Sequence, residues 1–343
     1  MRILVCTTQV PFARGGAELL SEGLRDALRA HGHDAELVAL PFAWTPRPNL
    51  FRSALAWRLL DLTQVGGQPV DAIICTKFPS YAARHPRKIV WLVHQHRQAY
   101  DWYGTALSDW GAQVGDAEAR RLLQRMDRRI LGEAHKIFAI SRNVAARLRR
   151  FNELHATPLY PPSHLLGRLH SGPFEDYVLS LSRLDAAKRI DLLLESLARS
   201  RAPLRAVIAG RGPEQAKLQR LARALGIAQR VDFPGFVDDA AAVALYARCR
   251  AVYYAPVDED YGLATVEAFA AAKPVLTTTD AGGVLEFVQD GRSGLVASPD
   301  AIALAAKLDI LADASIAAQL GRDNPQQIAE ISWEHVVRTL LAT

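Results

Sequence analysis

Residues 177–209 read YVLSL-SRLDAAKR-IDLLLESLARS-RAPL-RAVIA. The apolar run Tyr177–Leu181 makes a strand. A polar loop with cations follows, then a helical pattern over residues 190–200, then a second apolar strand at residues 205–209. Strand, helix and strand at this spacing form a crossover unit, which sets the two strands parallel in one sheet.

The same alternation extends in both directions. Toward the C-terminus it gives a helix at 214–225, a strand at 231–233, a helix at 240–247, a strand at 251–255, a helix at 263–271 and a strand at 275–278 that completes the core. Toward the N-terminus it gives strands at 3–6, 35–40, 72–75, 89–93 and 136–139. A helix at 17–30 carries Leu19, Leu20, Leu24, Ala27 and Leu28 on one face, and His31-Gly32-His33 ends it with a glycine past the last turn. Residues 157–176 break the rhythm with Pro158, Pro161-Pro162, Gly167, Gly172 and Pro173, and read as a linker. The expected fold class is α/β, with two doubly wound domains at 1–165 and 166–330 and a closing segment at 331–343. Ligands of such sheets bind beyond the carboxyl ends of the strands, so two sheets face to face would hold a site in the cleft between them.

With half of its 343 residues hydrophobic, the chain has enough apolar material for two cores. Its apolar runs, such as Ile89-Val90-Trp91-Leu92-Val93, fall well short of the ~20 residues of a membrane span. The opening Met1-Arg2-Ile3-Leu4-Val5-Cys6 reads as a first strand rather than a secretory leader, which predicts a cytoplasmic protein. Cys6, Cys75 and Cys249 lie far apart in apolar surroundings and read as buried thiols, without metal-ligand spacing. The net charge of +5 says little about partners. Arginines concentrate at 120–129 and 142–150; the second run, where Arg142, Arg149 and Arg150 flank Val144, Leu148 and Phe151, is a candidate for contact with the inner face of a membrane, against the plain alternative of a solvated helix face.

Four segments carry chemistry. Asp258-Glu259-Asp260-Tyr261-Gly262-Leu263-Ala264-Thr265-Val266-Glu267 leaves a strand and opens a helix. The backbone N–H groups near Tyr261, Gly262 and Leu263 are those of a helix start, which suits a phosphate. Glu267, eight positions after Glu259, can accept two hydrogen bonds from a vicinal diol such as ribose. Simple helix capping by Asp258, Glu259 and Asp260 is the equal alternative. The acidic triplet also resembles a Mg²⁺-binding run, but the helix terminus is already cationic and no metal is expected. In Ser180-Leu181-Ser182-Arg183-Leu184-Asp185-Ala186-Ala187-Lys188-Arg189, Arg183 and Lys188 can reach a pyrophosphate, where fixed cations stabilise the charge on a departing phosphate; otherwise they are two solvated loop cations. Gly15-Gly16 at the start of the first helix and Gly210-Arg211-Gly212-Pro213 after a strand permit close backbone approach, and neither is a full dinucleotide fingerprint or a Walker loop. Val93-His94-Gln95-His96-Arg97 places polar residues at a strand exit, with a structural histidine as the competing reading.

Taken together, these segments resemble the retaining glycosyltransferase family 4, of the GT-B fold with two Rossmann-like domains, over nearly the whole chain. The matching pieces include Gly15-Gly16-Ala17-Glu18, Ser182-Arg183-Leu184 with Lys188, Ala209-Gly210-Arg211-Gly212-Pro213, Val231-Asp232-Phe233-Pro234-Gly235-Phe236-Val237, the Glu259 and Glu267 pair, and Gly282-Gly283-Val284-Leu285-Glu286-Phe287-Val288 with Gly291 and Gly294-Leu295-Val296. The resemblance implies an N-terminal acceptor domain, a C-terminal donor domain and a last helix, near Trp333, that crosses back onto the first. It implies that Glu267 holds the ribose, that Glu259 and His94 face the transferred sugar, and that Arg183 and Lys188 hold the diphosphate. Gly16 would donate its N–H near the phosphates or sugar, and Phe236 would flank the base. The family often has Gly-Phe where this chain has Asp260-Tyr261, and Gly where it has Lys273.

The implied partners are a UDP- or GDP-sugar donor and a glycan, lipid-linked or small-molecule acceptor, with no nucleic acid and no cofactor. The acceptor would be chosen by residues 41–62, with Trp44, Phe51, Arg52, Trp57 and Arg58, or by Trp102, Tyr103 and Trp110, for all of which core packing is the alternative. Rival readings are a GT-B nucleotide-sugar epimerase and a binding module without chemistry.

Overall fold

The computed structural model describes residues 1–12 and 15–342. They divide into two compact units, one formed by Met1–Pro161 with Ile331–Thr343, the other by Pro162–Glu330. No helix among the described residues is long and apolar enough to cross a membrane.

In the first unit, strands β1 (Arg2–Gln9), β2 (Asp34–Pro41), β5 (Ala72–Cys75), β6 (Lys88–Leu92), β7 (Lys136–Ala139) and β8 (Thr157–Pro158) form one parallel sheet in the order β2-β1-β5-β6-β7-β8. A small antiparallel hairpin, β3 (Gln64–Val65) and β4 (Gln68–Pro69), stands apart. The helices are α1 (Gly16–Ala30), α2 (Pro48–Leu59), α3 (Asp116–Leu131) and α4 (Arg142–Asn152). The apolar stripe expected of α1 is the one buried: Leu20, Leu24, Ala27 and Leu28 face inward, and His33 N–H donates to the Leu28 carbonyl (3.1 Å) across the positive-φ Gly32.

In the second unit, strands β9 (Tyr177–Leu181), β10 (Arg205–Ala209), β11 (Val231–Gly235), β12 (Ala251–Tyr253), β13 (Val275–Thr278) and β14 (Gly294–Ala297) form a parallel sheet in the order β11-β10-β9-β12-β13-β14. Its helices are α5 (Ile190–Arg199), α6 (Gln215–Ala224), α7 (Asp239–Arg248), α8 (Leu263–Ala270), α9 (Ala301–Leu311), α10 (Ala314–Gly321) and α11 (Asn324–Gln327). Leu193, Leu194 and Leu197 of α5 meet Leu304, Leu308 and Leu311 of α9 in one core with Ala206 and Ile208 of β10. The sheet runs one strand beyond the expected core, to β14, whose pairing with Val275–Thr278 needs Gly294: a Cβ there would lie 2.2 Å from the Val275 carbonyl oxygen.

The expected linker at 157–176 is only partly one. Thr157–Pro158 is the edge strand of the first sheet, a position where proline's missing N–H does no harm. The closing helix α12 (Trp333–Leu341) belongs to the first unit. Its Trp333 ring fills the space left by Gly23 in the middle of α1, where a Cβ would stand 2.5 Å from the indole, and it meets Trp91 edge-on at 6.2 Å.

Candidate functional site

In the second sheet the chain moves outward from β9 through β10 to β11, then returns to place β12 on the other side of β9. Loops leaving β9 and β12 therefore part from each other at their carboxyl ends, the place where doubly wound sheets take ligands. Arg183, Asp185 and Lys188 leave β9; Tyr254, Glu259 and the start of α8 leave β12. The two loops are joined by the Val257 N–H donating to the Ala187 carbonyl (2.9 Å).

Lys188 and Glu259 form an ion pair there, and Lys188 Nζ also donates to the Tyr254 hydroxyl (3.1 Å). Burial works against the lysine charge, yet Glu259 and Tyr254 outweigh it and hold its pKa well above the ordinary value. Tyr254 is itself pushed up, by burial first and then by Glu259. Arg183 is exposed, and among the described residues its guanidinium has no ion-pair partner. Arg189, which sequence reasoning passed over, fixes the loops: its guanidinium donates to the carbonyls of Ala255 (2.7 Å) and Pro256 (2.9 Å), to Thr278 Oγ1 (2.7 Å) and to Asp280 (2.8 and 2.9 Å).

The Glu259 loop is clamped from the far side. Glu259 N–H donates to the Ala281 carbonyl (3.1 Å), and Gly283 N–H donates to the Glu259 carbonyl (2.8 Å). This approach requires glycine: a Cβ on Gly282, whose φ is +63°, would lie 2.6 Å from the Glu259 nitrogen, and one on Gly283 would lie 2.6 Å from the Asp260 carbonyl oxygen. The Gly210 turn is similar. Its Cβ position falls 1.9 Å from the Ser182 carbonyl oxygen, so the glycine serves backbone packing against the Arg183 loop.

Gly262 caps α8 in the left-handed region (φ +87°). The Tyr261 ring is buried against Phe287 (5.7 Å between centroids). One turn into α8, the buried Glu267 accepts from Ser163 Oγ (2.6 Å) through Oε1 and from the Tyr246 hydroxyl (2.7 Å) through Oε2. Burial raises its pKa and these two donors oppose the rise. Ser163 lies 104 residues away in sequence, inside the expected linker, so no local signal marks it. Phe236, just past β11, is 71 % exposed, an unusual state for a phenylalanine. Among the described residues the buried Ser182 Oγ, Asp185 Oδ1 and Thr265 Oγ1, all at this end of the sheet, have no hydrogen-bond partner, as expected of groups that await a ligand or water.

In the first unit the corresponding reversal lies between β1 and β5. Gly15 and Gly16 open α1 there, and the Gly15 N–H donates to Glu18 Oε2 (2.9 Å), while Glu18 Oε1 pairs with Lys77 (2.5 Å). At the exit of β6, His94 Nδ1 meets the Gln95 carbonyl (2.7 Å). A carbonyl only accepts, so Nδ1 carries the proton. His96 is packed among Phe42, Phe78 and Trp110, and burial, then His94, lowers its pKa to about 4. Trp57 is fully buried and Trp110 nearly so, which makes both core residues. A cavity of about 400 Å³ beside β2 and α2 is lined by Phe42, Asn49, Arg52, Ser53 and Trp57. In α4, Val144 and Leu148 are fully buried, so these apolar side chains are spent on its own core, and Arg142, Ala146, Arg149 and Arg150 are its exposed positions.

Asp127 of α3 is fully buried, and burial raises its pKa to about 7. A carboxyl raised in the fold holds its proton there at pH values where the unfolded chain has lost it. Its contribution therefore falls as pH climbs from about 4 to about 7. Asp127→Asn should raise the melting temperature at pH 8 and lose that advantage progressively toward pH 5; an equal gain at both pH values in thermal denaturation would remove the titration from the account.

Residues 171–326 match the family Glycosyl transferases group 1. A D-inositol 3-phosphate glycosyltransferase of Gordonia bronchialis is 32% identical over 184 residues, covering 49% of this chain and 40% of that protein. One of Nocardia farcinica is 30% identical over 260 residues, 66% of this chain and 56% of that protein. The chain thus spans about half the length of these relatives. Among solved structures, sucrose-phosphate synthase from Thermosynechococcus elongatus superposes with a TM-score of 0.79 at 20% identity, covering 99% of this chain and 97% of that one. HepE of Anabaena, crystallised with UDP and glucose, superposes with 0.69 at 20% identity over the full length of both chains. The fold is GT-B, and the second unit carries a glycosyl transferases group 1 domain.

Proposed function

We propose that the protein is a retaining, metal-independent glycosyltransferase that moves a sugar from a UDP- or GDP-sugar to a glycan, lipid-linked or small-molecule acceptor. The observation that carries this reading is the grouping of Arg183, Lys188 and the α8 N-terminus at the strand-order reversal of the second sheet, beside orphaned buried hydroxyls. Such a set suits a diphosphate: a forked cation, a point charge and a helix dipole. It places positive charge where the leaving group gains negative charge, which is also the task a metal would perform.

In this reading Glu267 takes the ribose hydroxyls with the acceptor capacity that Ser163 and Tyr246 leave, and Gly210 and Phe236 border the base. The N–H groups at Tyr261, Gly262 and Leu263 meet the phosphates. Gly15, Gly16 and His94 are the first unit's contributions, and the cavity by Arg52 receives the acceptor. The bond from the sugar's anomeric carbon to the phosphate oxygen breaks as the acceptor oxygen bonds to the same face. The acceptor's proton passes to the departing phosphate oxygen, and Glu259 and His94 orient the sugar.

A thermal-unfolding screen against UDP, GDP, ADP and their sugar conjugates, with EDTA present, tests the donor site. A ligand at ~100 times its Kd adds about 2.7 kcal/mol. A shift from one nucleotide in EDTA supports the reading; a shift that appears only with Mn²⁺ overturns metal independence, and none under either condition overturns the donor site. The anomeric configuration of the product, read by NMR, tests retention. Phe236→Ala should weaken the effective nucleotide about five- to a hundredfold if its ring stacks on the base, which is worth about 1–3 kcal/mol; unchanged affinity by calorimetry removes that contact.

The proposed location is the cytoplasm, with electrostatic contact of α4 with the inner membrane face. Binding to anionic vesicles in sedimentation should then vanish at about 1 M salt, where the screening length is ~3 Å; salt-resistant binding, or none at low salt, counts against it.

A further inference from the structure

The turn that bears His94 is tied to the interior of the first unit by a chain of four buried polar side chains. Gln95 Nε2 donates to Asn152 Oδ1 (3.1 Å), Asn152 Nδ2 donates to the Tyr100 hydroxyl (3.2 Å), and that hydroxyl donates to Asp127 Oδ2 (2.6 Å). None of the four is more than 1 % exposed. They come from four places: the exit of β6, the short helical turn after it, the last residue of α4 and the middle of α3.

Such a chain is a poor device for stability. Apolar side chains of the same size would fill this space at no loss, whereas here a carboxyl sits in the interior without a cation in the chain. What it does provide is a fixed order of donors and acceptors running from Gln95 Nε2 to Asp127 Oδ2, although Gln95 Oε1 and Asp127 Oδ1 have no hydrogen-bond partner among the described residues. On the other side of the turn, the His96 ring is wedged among Phe42, Phe78 and Trp110. The turn is thus gripped by Gln95 and by His96, and the Gln95 carbonyl is held where it accepts from His94 Nδ1.

We propose that Asp127, Tyr100, Asn152 and Gln95 are positioning residues for His94, fixing the placement of the Gln95 carbonyl and through it the tautomer and orientation of the imidazole. This rests on the reading of His94 as a site residue of glycosyl transfer. Asn152→Leu and Gln95→Leu cut the chain, Asp127→Leu removes its end, and Asp127→Asn keeps an acceptor for Tyr100.

Imidazole ¹H–¹⁵N spectra of the full chain at pH 8 report the tautomer directly, with the His94 resonances assigned by His94→Gln. We expect a single Nδ1–H tautomer in the wild type and in Asp127→Asn. Averaged tautomers are expected in Asn152→Leu, Gln95→Leu and Asp127→Leu. In parallel, the kcat for UDP release from UDP-glucose should fall about ten- to a hundredfold in the three leucine variants, with KM within twofold, as for a misplaced group rather than a lost binding contact. Leu123→Ala, a core change in α3 outside the chain, should lower the melting temperature and leave the tautomer alone. An unaltered His94 tautomer in the folded leucine variants overturns the proposal. If Asn152→Leu does not fold, the Asp127→Asn and Asp127→Leu comparison decides in the same way. Absence of UDP release in the wild type would count against UDP-glucose as the donor, while the spectra still judge the chain.

Discussion

Replacing Lys188 by alanine should lower kcat about a hundredfold and leave the donor KM within a few-fold. The ammonium is held by Glu259 and Tyr254, and in the proposed reading it faces the departing diphosphate. Removing one preorganised charge of this kind costs on the order of 3 kcal/mol in the transition state. The same change strips Glu259 of its cation, so stability should fall as well. The two effects separate in the double variant Lys188→Ala/Glu259→Ala. With neither charge left unpaired, most of the melting temperature should return, while the rate should stay lost. Steady-state kinetics and thermal denaturation on the wild type and the two variants read both. Near wild-type kcat in Lys188→Ala would take the lysine out of the chemistry and leave it a structural ion pair.

The second large effect is expected at Gly282. Its backbone, φ +63° with ψ −126°, is a conformation that L-residues rarely adopt and that costs them on the order of 1–3 kcal/mol. A Cβ would also press within 2.7 Å of three atoms of Asp258 and Glu259. Together these make Gly282→Ala worth about 3 kcal/mol, a fall of roughly 6–12 °C for a unit of this size. Gly291→Ala is the matched control, with φ of +72° and no atom within 4 Å of the added carbon. It should lose only the backbone part. Equal losses in the two variants would show that the close approach of the Glu259 loop is not what Gly282 provides. The kinetic readout sharpens the contrast, since displacing Glu259 should also depress turnover in the first variant alone.

How much of this was legible in the sequence depends on how local the cause is. Tyr177–Leu181, Arg205–Ala209 and Val275–Thr278 were read to the residue, because short apolar runs between turn residues leave little choice. Thr157–Pro158 was lost in a proline-rich segment that signals a loop, although an edge strand tolerates proline. Gly294–Ala297 was read as a motif and not as a strand, since four residues opening on glycine carry too little pattern. The loop residues Arg183, Lys188 and Glu259 were identifiable from their place after strands, but the pairing of Lys188 with Glu259 was not. Contacts across 71 or 104 residues, such as Lys188 to Glu259 or Ser163 to Glu267, leave no periodic trace. The same holds for the Gln95 to Asp127 chain, each member of which looks ordinary alone.

The docking of Trp333 into the notch at Gly23 bears on biosynthesis. A protein usually completes its amino-terminal portion first as it leaves the ribosome. Here the first unit needs residues from both Met1–Pro161 and Ile331–Thr343, whereas the second is continuous over Pro162–Glu330. The later-made unit therefore has all its residues before the earlier one does. Until residues 331–343 emerge, the groove on α1 stays unfilled, with Trp91 lacking its edge-on neighbour. Nascent chains stalled before residue 331 should thus carry a finished second sheet and a first sheet that still awaits the helix bearing Trp333.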